Sequence, residues 1–478
     1  MLDDDSLLQI FSCYRLEEDS DWNIRHTWRK LTHICRRWRN LIYDSWSHLD
    51  MCLSLTNNSP SIDVLSHLPP LPLIIDYSDR TRAMARKDED NICLGLQQHG
   101  RLRRVVLQAP SSRFRIWLES MNKPFPKLLD LSLLSTTLEE MGPILPETLQ
   151  APYLRCLSLH GISLSTGLPF LSSAIALSTL SLTHIGASSY FPPGHLVIQL
   201  QGLLHLEELS IGFAVPIPPP GSEGELLPVP NLPVTLPTLR RLTFGGVDVY
   251  LDNLVAQINT PLLEQLTVTL FFDLTYTLVN LNEFIRRTEG FRCLTVQVIF
   301  NSDGASIDLD AGHYKQRGIG KLSCRVTCNS FDWQIDSVTQ VCSALREVLS
   351  AVEELTLGLD ANGVPSDWED TLDSMFWHEL LLPFIGVKKL HIGSSLTLEL
   401  SKALESVTGE LVLELLPELQ EFGVQLRIDY AKNMFSGFIK TRESVGRPVH
   451  LLAPPIPLLV PHIIGACGSG ESYTPVVS

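Results

Sequence analysis

The chain has 478 residues, 44% apolar and 19% charged, with a mean hydropathy of +0.12, which is the composition of a folded protein. Its length admits two or three ordinary domains, or one extended array with a small appendage. A net charge of −16 and a pI near 5.3 argue against nucleic-acid binding, which needs a basic stripe to neutralise phosphates, and against docking on an anionic membrane.

The first residues, Met1-Leu2-Asp3-Asp4-Asp5, are acidic, the reverse of a signal peptide's positive flank, so secretion is not expected. Residues 1 to about 48 differ from all that follows. Leu7, Leu8, Phe11 and Tyr14 recur at spacings of three and four and predict a helix, with the aspartates at its positive end. An acidic connector (Glu17 to Asp21) leads to a second amphipathic stretch. There Trp28, Leu31, Ile34, Cys35, Trp38, Leu41 and Ile42 oppose Arg29, Lys30, Arg36, Arg37 and Arg39. So small a unit should lean on the rest of the chain or on a partner.

Leu71 to Asp76 reads as a first strand, and a phrase with apolar first, fourth and sixth positions then recurs. It runs Leu102-Val105-Leu107, Leu128-Leu131-Leu133, Leu154-Leu157-Leu159, Leu177-Leu180-Leu182, Leu206-Leu209-Ile211, Leu239-Leu242-Phe244 and Leu263-Leu266-Val268. It continues as Phe291-Leu294-Val296, Val352-Leu355-Leu357, Val387-Leu390-Ile392 and Leu419-Phe422-Val424. Each phrase reads as a strand, and the stretch behind it often as a helix, as at Leu251, Leu254, Val255 and Ile258. A strand and a helix per unit is the pattern of an α/β leucine-rich-repeat solenoid, with a parallel sheet on the concave face and helices and loops on the convex one.

The 61-residue gap from Phe291 to Val352 holds Lys321 to Val326, read as one degenerate repeat dividing it into two units. Pro216 to Pro237 reads as an excursion replacing one unit's helix, or as an extended proline ligand for a partner domain. Asp429 to Ser444 (helical) and Gly446 to Leu452 (extended) should cap the open end of the core. Residues 453–478 are Pro/Gly/Ser-rich and expected to be disordered, and four prolines interrupt the apolar run from Leu451 to Ala466, so no membrane helix fits there.

Catalytic signatures are missing from the sequence. There is no G-x-S-x-G elbow, phosphate loop or H-E-x-x-H, and neighbours such as Glu207-Glu208 point opposite ways in a strand. The ten scattered cysteines form no CxxC pair and read as reduced thiols of a cytoplasmic or nuclear protein. Neither an enzyme activity, a metal nor a cofactor is expected.

The repeats offer a surface instead. Ser132, Ser158, Ser181, Ser210, Thr243, Thr267, Thr295 and Thr356 should form a ladder of small hydroxyls on the concave face, serving either close strand packing or binding. Asp130, His160, Glu208, Arg241, Gln265, Gln297, Glu354, Lys389 and His391 are the larger groups there and the candidate contacts for a protein client. Their alternating sign does not suit one simple polyanion.

Leu2-Asp3-Asp4-Asp5-Ser6-Leu7-Leu8-Gln9-Ile10-Phe11 resembles the F-box opening L-P-x-x-x-L-x-x-I-F, with Asp3 in place of the proline. Ile34-Cys35-Arg36-Arg37-Trp38 resembles its later V-C-R-x-W. With the G-R-P-V phrase Gly446-Arg447-Pro448-Val449 after the repeats, the chain is similar to the expanded F-box families of mushroom-forming fungi. The resemblance implies a substrate receptor of a Skp–cullin–F-box ubiquitin ligase. Residues 1–48 would be the F-box and 49–452 the repeat array with its cap. Leu2, Leu7, Ile10, Phe11, Ile34 and Trp38 match the family's positions facing the Skp-family linker, some of which must form the F-box's own core. Through that linker the chain would join a cullin–RING ligase. The alternative is a stand-alone leucine-rich-repeat interaction scaffold whose first helices merely cap the array.

Overall fold

A computed structural model describes residues 2–452 apart from 17–26, 46–48, 50–51, 58, 60–70, 79–83, 138, 140–141, 166–168, 217–232, 289–290, 292, 311–319, 361–373 and 407–413. Residues 217–232 of the expected excursion at Pro216 to Pro237, and the tail at 453–478, therefore lie outside the described residues.

The strands are β1 (Leu53–Leu55), β2 (Leu73–Tyr77), β3 (Leu102–Ala109), β4 (Asp130–Ser135), β5 (Cys156–His160), β6 (Thr179–Ile185), β7 (Glu208–Phe213), β8 (Val234–Thr235) and β9 (Arg241–Gly246). Then come β10 (Ile258–Asn259), β11 (Gln265–Phe271), β12 (Thr295–Asn301), β13 (Gly304–Asp310), β14 (Lys321–Thr327), β15 (Glu354–Leu359), β16 (Lys389–Ile392), β17 (Glu421–Val424) and β18 (His450–Leu452). β8 pairs with β10; the other sixteen form one sheet, parallel except around β13.

Period-two alternation builds this sheet. Leu131, Leu157, Leu180, Leu209, Leu242 and Leu266 lie in register on successive strands, and all are buried. Burying one leucine contributes roughly 1.5–3 kcal/mol, and no unit could cover its own row alone. Helices supply the cover: Leu251, Leu254 and Val255 of the helix Asp248–Ala256, and Val338, Val341 and Cys342 of the helix Phe331–Ala344, are buried in the same apolar core.

Three sequence expectations need correction. The strand at Leu71 to Asp76 is not the first, because the three-residue β1 pairs with β2 outside it and is too short to show a period. The phrase Phe291-Leu294-Val296 is set two residues early: Leu294 is 48% exposed, while Cys293, Val296 and Val298 are buried. Lys321 to Val326 is not a repeat following β12. β14 lies beside β11, β12 lies beside β15, and β13 runs antiparallel between them. Gly304 permits this excursion. It opens β13 at φ +156°, and a Cβ there would fall 2.1 Å from the Val326 carbonyl oxygen.

After β17 come the helices Ile428–Met434 and Ser436–Ser444, and then β18, which pairs with β17 at the edge of the sheet. The G-R-P-V phrase is where the second of these helices stops. Gly446 takes φ +76°, its N–H donates to Glu443 O (3.0 Å), and the Arg447 N–H donates to Arg442 O (2.9 Å). That is a Schellman turn, for which a left-handed glycine is suited. Arg442 is fully buried and donates to the carbonyls of Leu415, Leu416 and Leu419 at 3.1 to 3.3 Å.

At the other end lie helices α1 (Asp4–Leu16), α2 (Thr27–Thr32) and α3 (Arg36–Asp44). Asp3 stands just before α1 and caps it, its Oδ1 accepting the Ser6 N–H at 2.7 Å. That bond holds the Asp3 carboxyl below its ordinary value. Leu7, Phe11 and Ile42 join the same contiguous apolar core as the strands.

Candidate recognition surfaces

The sheet's second face carries the residues between the buried ones. Registers bring Ser132, Ser158, Ser181, Ser210, Thr243, Thr267 and Ser323 side by side on consecutive strands. The row goes on through Asp308, Gln297, Thr356 and His391. Gln297, not Thr295, therefore occupies the ladder position on β12, a consequence of the two-residue shift there.

The charged candidates are engaged with one another or with a neighbour on this face. Arg104 Nε lies 3.0 Å from Asp130 Oδ2. Arg241 pairs with Glu208, His391 Nε2 lies 3.3 Å from Glu354, and Lys389 Nζ lies 2.8 Å from Glu421. Each pair joins adjacent strands, so the alternation of sign is a set of lateral ties. Burial pushes the Asp130 carboxyl up, with Arg104 opposing it, and the hydrogen bond to Glu421 raises the Lys389 ammonium. His160 sits further along its strand, its Nδ1 3.0 Å from Thr183 Oγ1 and its ring 4.9 Å from that of His184. Gln265 donates to Thr267 Oγ1 at 3.3 Å. Sequence reading missed Arg104 and Glu421 as partners and Asp308 as a member of the row. Arg104 and Glu421 hold the third position of their phrases, as Asp130 and Arg241 do, so an alignment of phrases would have exposed them.

A second surface lies on the amino-terminal helices, where the six apolar candidates divide. Leu7 and Phe11 are buried, and Trp38 is half-buried with its ring edge-on to Phe11 at 4.9 Å. Leu2, Ile10 and Ile34 remain 55%, 47% and 58% exposed. Arg37 joins α3 to the start of α1: its guanidinium lies 2.6 Å from Asp4 Oδ1, and its Nη2 donates to Leu2 O at 2.8 Å. These helices therefore bury Leu7 and Phe11 in the array's apolar core and leave large apolar side chains outside it.

The buried thiols are poor nucleophiles, since desolvation pushes Cys293 and Cys324 up to about 12. Among the described residues no cluster of three or more His, Cys, Asp or Glu could hold a metal ion. No described helix is long and apolar enough to cross a membrane.

The fold and its surfaces define a mixed α/β protein with a large, mostly parallel sheet, one face apolar under helices and the other polar and open. No family model and no curated protein matches the chain. Among solved structures it is similar to one described as the crystal structure of a TLR13–ssRNA13 complex, with a TM-score of 0.29 and 11% identity. That match covers 74% of this chain and 47% of the other, so the chain spans about half the length of that structure.

Proposed function

We propose that the protein is an adaptor with two recognition surfaces: an F-box that docks a Skp-family linker, and a leucine-rich-repeat-type solenoid that holds a protein client. The linker would bring a cullin–RING ligase, and catalysis would belong to that partner and its conjugating enzyme, cytoplasmic or nuclear. The adaptor's contribution is proximity, which raises the effective concentration of the client at the transfer site.

One observation carries this reading: the amino-terminal helices bury Leu7 and Phe11 yet expose Leu2, Ile10 and Ile34. Large apolar side chains outside a satisfied core suit a partner surface. Titration of the full chain with a purified Skp-family linker tests it. Wild type should bind, and Ile10→Asp with Ile34→Asp should abolish binding without loss of fold. No binding by wild type, or full binding by the double variant, refutes the reading.

The rival is a stand-alone repeat scaffold, and one observation favours it: Leu7, Phe11 and Ile42 belong to the array's own core. On that reading deletion of residues 1–48 unfolds the array and the linker does not bind.

A further inference from the structure

Phe272, the residue after β11, stacks on Trp333 of the helix Phe331–Ala344 with ring centroids 4.9 Å apart and planes at 12°. One face of the indole is thus covered. Trp333 is nevertheless 54% exposed, so its other face meets solvent, and Leu274 in the same loop is 72% exposed.

The loop carrying these groups is tied down. Gln340 Nε2 donates to Leu274 O (2.9 Å), and Gln340 Oε1 accepts the Tyr276 N–H (3.0 Å). The buried Asp248 carboxylate accepts the Thr277 N–H (2.5 Å), and the Tyr276 hydroxyl accepts the Asp273 N–H (3.2 Å). Exposed aromatic surface on a fixed frame loses little freedom on binding, which is how interface anchors work.

Charge selects the occupant. Asp336 lies three residues beyond Trp333 on the same helix face, and its Oδ2 accepts from Gln340 Nε2 at 2.9 Å, which links it to the Leu274 loop. Asp273 adjoins Phe272 and accepts the Leu274 N–H at 2.7 Å. Among the described residues neither carboxylate has an ion-pair partner, in contrast to the paired carboxylates of the open sheet face. A guanidinium fits this combination, because a planar cation stacks on the free indole face while its N–H fork meets a carboxylate. An ammonium would gain the charge attraction without the stacking.

We propose that the Trp333–Asp336 patch binds an arginine side chain presented by an extended basic segment of a partner protein. On the adaptor reading, on which this assignment of role rests, that segment belongs to the client.

Fluorescence anisotropy with the full chain and a labelled Gly/Arg-alternating heptapeptide tests the proposal, with citrulline and lysine versions as the comparison. The arginine peptide should bind saturably. Trp333→Ala should weaken it about tenfold and Asp336→Asn about threefold, while Trp333→Phe keeps most of the affinity. The citrulline peptide should not bind, and the lysine peptide should bind several-fold more weakly. Unchanged affinity in Trp333→Ala or Asp336→Asn, or a lysine peptide as tight as the arginine one, overturns the proposal. Trp333 is exposed, so its variants should melt as wild type does. Linker titration keeps the two ideas apart: a chain that binds the arginine peptide but no linker retains this patch and loses the adaptor role, and the reverse result loses only the patch.

Discussion

Glu208 and Arg241 face each other from neighbouring strands and close an ion pair across the open side of the sheet. Both side chains are more than a third exposed, so solvent screens the pair and its contribution to stability stays below about 1 kcal/mol. Arg241→Ala should lower stability by no more than that in urea unfolding, and adding Glu208→Ala should cost little more. A loss of several kcal/mol would show that the pair holds the sheet together.

The spine behaves differently. Leu242 is fully buried in the middle of the row, and Leu242→Ala should cost about 2–5 kcal/mol through lost burial and the cavity left behind. Hydrogen exchange should show the loss spreading first to β7 and β11, whose leucines flank it, since each unit is stabilised by its neighbours.

Gly304 tests the antiparallel excursion. Any side chain at this position meets the Val326 carbonyl oxygen, so Gly304→Ala should destabilise by at least about 2 kcal/mol and loosen β13 before the flanking strands. Unchanged unfolding and unchanged exchange in β13 would contradict the placement of that strand.

Much of this architecture could be read from the chain, and the failures have physical causes. The 1-4-6 leucine phrase marks strands because period two puts its fourth and sixth residues on one face, with the first buried at or just before the strand's start, and it located β3 to β7, β9, β11 and β15 to β17. Parallel or antiparallel pairing leaves no trace in that pattern. Ala305, Ile307 and Leu309 of β13 alternate as any strand would, and only Gly304 hints at the reversal. Charged positions were legible as surface, but their lateral pairing was not, because it depends on residues dozens of positions apart. Among the amino-terminal apolar candidates, motif resemblance grouped Leu7 with Ile10; burial separates them, with Leu7 inside and Ile10 out.

Asp3 gives a pH signature. Its carboxyl is held low chiefly by the Ser6 N–H, so its support of α1 is complete above the ordinary aspartate value. That support fades as the pH falls through the lowered value. The Ser6 amide resonance should follow this titration, and Asp3→Asn should flatten it while keeping the cap. A Ser6 amide indifferent to acid would contradict the capping role.

Arg442 anchors the opposite end. Its guanidinium serves three carbonyls from two nitrogens, a geometry one ammonium cannot reproduce. Both Arg442→Lys and Arg442→Met should therefore destabilise the cap by roughly 2–4 kcal/mol, by leaving buried carbonyls unpaired. Circular dichroism with protease sensitivity near residue 415 would check this.

Hydrogen exchange of the full chain with and without a Skp-family linker addresses the adaptor role most directly. The account predicts slowed exchange confined to α1 and to the α2–α3 segment around Leu2, Ile10 and Ile34, with the open sheet face unchanged. No protection anywhere, or protection on the sheet face in place of those helices, would contradict it.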